Sequence, residues 1–164
     1  MNSKPIINKL LERLPPGWAD LTEAEDKYSQ IGIALPMQPD KFLQIEIRAP
    51  WDAQDFYQYI SKEEQENFQT YFALRFVEVD ETPHGEYTMD YFCSPNLFLV
   101  AEMAHAIPLD CLSEDPTELK VVGYLGIPLL FWKEKLIYGS KGTLPTGPKV
   151  LKLVTPTDYE GKRS

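Results

Sequence analysis

Apolar and polar positions along this chain change period several times, and the changes mark out its elements. Near the start, Ile6, Ile7, Leu10, Leu11 and Leu14 recur at helical spacing. Ser3 stands where a cap would, Pro5 fits the opening turn, and Pro15-Pro16-Gly17 closes the helix. Thr22-Glu23-Ala24-Glu25 has the form of a capping box, with Tyr28, Ile31 and Leu35 continuing on one side. A second helix is therefore expected, ending at Pro36. Between Lys41 and Arg48 the period drops to two: Leu43, Ile45 and Ile47 alternate with Gln44, Glu46 and Arg48, as in a strand with one wet face. Asp52 can cap a short turn, and Ser61-Lys62-Glu63-Glu64 a further helix bearing Phe68, Tyr71 and Phe72.

The stretch 72–79 satisfies both periods, strand through Phe72, Leu74 and Phe76, helix through Phe68, Phe72, Phe76 and Val79. Turn chemistry at Thr82-Pro83-His84-Gly85, followed by the strand-like aromatics of Glu86–Phe92, points to a hairpin across residues 72–92. Ser94-Pro95 predicts a cap and first helical position for a helix that is apolar on every side from Leu97 to Ala104, hence centrally buried, and that Pro108 ends. From Leu119 the pattern is β: Leu119–Val122, Leu129–Trp132 and Leu136–Tyr138, the last two joined by Lys133-Glu134-Lys135. Gly139–Pro148 reads as a loop and Lys149–Val154 as one more strand. The expected fold is a single α+β domain over residues 1–157, with helices mainly in the first two-thirds packed on an antiparallel sheet that the C-terminal strands complete. Residues 158–164 are expected to form a flexible tail.

Composition changes this picture little, because 43% hydrophobic and 25% charged residues suit an ordinary packed globule. Charge changes it more. The net charge of −9 opposes non-specific binding to nucleic acid or an anionic membrane. It is also segregated: residues 1–118 hold 8 basic and 22 acidic side chains, net −14, whereas residues 119–157 hold six lysines against Glu134, net +5. Met1–Leu14 lacks the apolar run of a secretory signal, and Val121–Trp132 is too short and too rich in Gly and Pro to span a bilayer. With only Cys93 and Cys111, not in a CxxC pair, a reduced cytoplasmic setting is expected.

Candidate chemistry is sparse. Glu102 and His105 lie three apart on a predicted helix, half of a carboxylate metal site, and a satisfied core hydrogen bond or a partly exposed helix edge explains them more simply. Cys93 precedes a helix N-terminus, where a thiol pKa can fall, but His105 lies about three turns away and only His84 could serve it as a base. Gly139-Ser140-Lys141-Gly142-Thr143 lacks the spacing of a phosphate loop. In the basic segment, lysines interleave with Tyr124, Phe131, Trp132 and Tyr138, a combination that suits single-strand binders, although arginine is absent from it. The acidic clusters Asp20–Asp26, Glu63–Glu66 and Glu78–Glu81 complement helix starts or form a surface for a basic partner.

Ile31-Gly32-Ile33-Ala34-Leu35-Pro36, shortly before Phe42-Leu43, resembles the LGI-x-LP…FL opening of the SUKH superfamily, many of whose members are immunity proteins. The resemblance covers about a seventh of the chain, and the turn glycines and asparagine that follow in that family are missing here. It implies an interaction protein. The leading expectation is thus a non-enzymatic protein-binding module, adaptor, assembly factor or inhibitor, that uses no cofactor or metal. Its partner is expected to have a basic surface and its contacts to lie at Glu63, Glu64, Glu66, Trp132, Lys133, Lys135 and Lys141. The rivals are an enzyme built on Cys93 or Glu102/His105 and a nucleic-acid binder built on the basic hairpin.

Overall fold

Five antiparallel strands, adjacent in the order in which the chain makes them, form the frame on which everything else packs. The computed structural model describes residues 4–49, 70–79, 85–124 and 127–139. In chain order these hold α1 (Lys4–Arg13), β1 (Ala19–Asp20), β2 (Ser29–Leu35), β3 (Gln38–Arg48), β4 (Tyr71–Val79), β5 (Glu86–Ser94), α2 (Leu97–Ala106) and α3 (Leu109–Glu114). A 3-10 turn at Pro116–Glu118 then leads into β6 (Leu119–Tyr124), β7 (Ile127–Trp132) and β8 (Lys135–Tyr138), a second antiparallel sheet. The expected α+β class is the observed one.

Alternation sorts the large sheet into two unlike faces. Ile31, Leu43, Ile45, Leu74, Phe76 and Phe92 share one face and one buried cluster with Ile7 and Leu10 of α1 and Val100 and Met103 of α2. Each such side chain contributes about 1.5–3 kcal/mol by leaving water, so this inner face dominates the driving force. Leu119, Val121 and Leu130 join the same cluster and tie the small sheet to it. Residues 72–79 are β4, paired with β5 from Phe72↔Ser94 to Val79↔Glu86, so the expected hairpin is present. At the other expected hairpin, Lys133 and Glu134 take positive φ of 48° and 68°, the conformation that a two-residue turn needs to match strand twist.

Several expectations are corrected. The helix from Thr22 is absent: Ser29–Leu35 is strand β2, paired with β3 over its whole length. Instead of capping a helix, the Thr22 hydroxyl accepts from Gln30 N at 2.9 Å and so extends the β ladder. The helix at 97 is capped by Asn96, not Ser94. Asn96 Oδ1 accepts from Phe98 N at 3.0 Å and Leu99 N at 3.3 Å, while Ser94 Oγ accepts from Asn96 N one step earlier. Nor is that helix buried all round, because Phe98, Glu102 and His105 are exposed and its core face is Val100, Ala101, Met103 and Ala104. The polar face of β3 is not wet either: Gln44 and Glu46 are buried. Tyr71 and Phe72, expected on the helix after Ser61, belong instead to strand β4, where they pair with Arg48 and Ile47 of β3; residues 61–69 of that expected helix, the loop 139–148 beyond Gly139, the strand 149–154 and the tail lie outside the described residues.

Candidate functional site

The outer face of the large sheet, opposite α1 and α2, carries charge where the inner face carries hydrocarbon. Register sets Gln30, Glu46 and Ala73 side by side, and likewise Gln44 with Arg75 and Arg75 with Asp90. Glu46 lies between two arginines: Arg48 Nε donates to Glu46 Oε1, and Arg75 Nη1 stands 3.0 Å from Glu46 Oε2. Arg48 also grips Asp90 with both terminal nitrogens, each at 3.2 Å, and Arg75 Nη2 reaches Glu86 at 3.4 Å. Burial opposes the charge on Arg48, but Asp90, Glu46 and a hydrogen bond with the Tyr71 side chain outweigh it and raise the guanidinium pKa. A charged chain of this kind is tolerated inside a protein only because its members are paired and bridged.

Beside this network the same face opens into a cleft of about 390 Å³. Its apolar lining comes from Leu21, Phe42 and Val79; its carboxylates are Glu23, Asp26 and Glu86; Gln30 and Gln44 complete the polar part. Glu23 and Glu86 are exposed and Asp26 half-buried, which places acidic groups at the mouth, whereas Gln44 is 4% exposed and lies deep. Gly32 makes room for this arrangement: a Cβ there would meet Leu21 Cδ1 at 2.8 Å and Gln44 Cγ at 2.9 Å. The volume falls at the lower end of ligand-binding clefts.

The residues singled out from sequence are scattered. Glu63, Glu64, Glu66 and Lys141 lie outside the described residues, as does His84. Lys133 tips the β7–β8 turn, 2.8 Å from Glu114 and 5.5 Å from the Trp132 ring centroid; Lys135 is exposed in β8. Trp132 is half-buried against the core and Phe131 is buried. Glu102 and His105 are both exposed on α2, and Glu102 bonds the Tyr138 phenol. No group of three or more His, Cys, Asp or Glu side chains suited to a metal occurs among the described residues. Cys93 sits in β5, fully buried; burial first, and the Asp90 carboxylate with it, push its thiol well above the usual range against the pull of Arg48.

Of the cleft, sequence reasoning reached Glu23 and Asp26 as part of an acidic cluster. It missed Phe42 and Gln44, which alternate with core residues of β3, and Glu86, at the exposed start of β5. The available signal was charge of both signs on one face, Glu46 and Arg48 in β3 against Arg75 in β4. Among the described residues no helix is long and apolar enough to cross a membrane. No family model matches the chain, and neither a curated protein nor a solved structure is significantly similar to it.

Proposed function

We propose that this protein is a non-enzymatic binding module that receives a basic protein partner on its acidic face. The observation that carries the reading is the outer-face cleft, where Glu23, Asp26 and Glu86 surround apolar lining from Leu21, Phe42 and Val79. Carboxylates at an exposed mouth speed encounter with a positively charged partner and set its register, while the apolar lining slows its departure. The local SUKH-like segment, residues 31–43, supports the same class. An enzyme built on Cys93 would need a thiolate, and this thiol is buried and held protonated. Affinity capture tests the reading: a stoichiometric partner should be retained at low salt, released at high salt, and lost with Glu23→Lys combined with Asp26→Lys. A partner indifferent to both salt and charge reversal would sink it.

A further inference from the structure

We draw no further inference here: the strongest candidate, the apolar tip of the β2–β3 hairpin, where Met37 stands 97% exposed at a positive φ of 62° beside Pro36, carries nothing because nothing in the structure shows what covers it.

Discussion

Arg75 Nη1 lies 3.0 Å from Glu46 Oε2 with the two side chains only 6% and 9% exposed, so a charged pair holds adjacent strands together inside the protein. Glu46 also accepts from Arg48, and removing it would strip both arginines of a partner at once. Among the described residues, what then remains for Arg75 is Glu86, 3.4 Å away and 44% exposed. Breaking a buried pair from one side costs about 3–5 kcal/mol, whereas replacing both partners by apolar groups is often close to neutral. Glu46→Ala is expected to lower unfolding stability in urea by about that amount. Glu46→Met with Arg75→Met should recover most of the loss. If Glu46→Ala costs under about 1 kcal/mol, the pair contributes no more than a surface bridge would.

Gly32 separates Leu21 from Gln44, and any side chain placed there must displace one of them. The Cβ of an alanine would lie 2.8 Å from Leu21 Cδ1, 2.9 Å from Gln44 Cγ and 3.1 Å from the Leu43 carbonyl oxygen. The two side chains can rotate, but the backbone oxygen of a paired strand cannot. Overpacking of this kind costs about 1–3 kcal/mol. Gly32→Ala is expected to lose stability in that range and to shift the amide resonances of residues 30–44 more than those of α2. A neutral effect on both would show that Leu21 does not seat against β2.

These two sites also mark where the sequence could be read and where it could not. The alternation Leu43, Ile45, Ile47 announced β3 and its core face, because period two follows from the pleat itself. The same pattern could not say that Gln44 and Glu46 are buried, since their burial and pairing depend on Arg75 and Asp90, 29 or more residues further along the chain. At β2 the local signals conflicted. Thr22-Glu23-Ala24-Glu25 reads as a helix start, while Ile31, Ile33 and Leu35 alternate as a strand. The conflict is settled by pairing, since β2 gains a seven-residue ladder with β3 and Thr22 joins it through Gln30. The last hairpin was legible because only Lys133-Glu134-Lys135 lie between two strand patterns; pairing with Trp132 takes Lys135 into β8 and leaves a two-residue turn. The cleft was illegible because its lining comes from separate places along the chain, Leu21 to Gln30, Phe42 and Gln44, Val79, and Gly85 with Glu86, whose spacing carries no motif.

The correction at α2 has a measurable counterpart. Asn96 Oδ1 satisfies two amides of the first turn, at Phe98 and Leu99, and Ser94 Oγ holds Asn96 N at 3.0 Å. Loss of an N-cap typically costs about 1 kcal/mol. Asn96→Ala should lower stability by roughly that much, and Asn96→Asp should retain most of it because a carboxylate also suits a helix N-terminus. Ser94→Ala is expected to cost less than Asn96→Ala, since it removes support for the cap and not the cap itself. Thermal unfolding followed by circular dichroism decides the order; a larger loss at Ser94 would return the cap to the position that the sequence suggested.

Tyr138 couples the small sheet to α2 through Glu102, and the coupling should be visible at alkaline pH. Burial first, then the hydrogen bond and charge of Glu102, push the Tyr138 phenol up to about 12, above the ordinary value of about 10. The folded state therefore favours the neutral phenol. Its contribution to stability is complete below pH of about 10 and is lost as pH rises through about 12. Tyr138→Phe should be less stable than the parent near neutrality, where the bond to Glu102 is missing, and should show a shallower decline between pH 10 and 12. Glu102→Gln removes the charge but not the burial, so the phenol should fall part of the way toward its ordinary value. The protein has nine tyrosines, so the measurement is the difference in ultraviolet absorbance titration between the parent and Tyr138→Phe. A difference curve centred near pH 10, unchanged by Glu102→Gln, would mean that the phenol is solvated and that α2 and β8 are not joined through it.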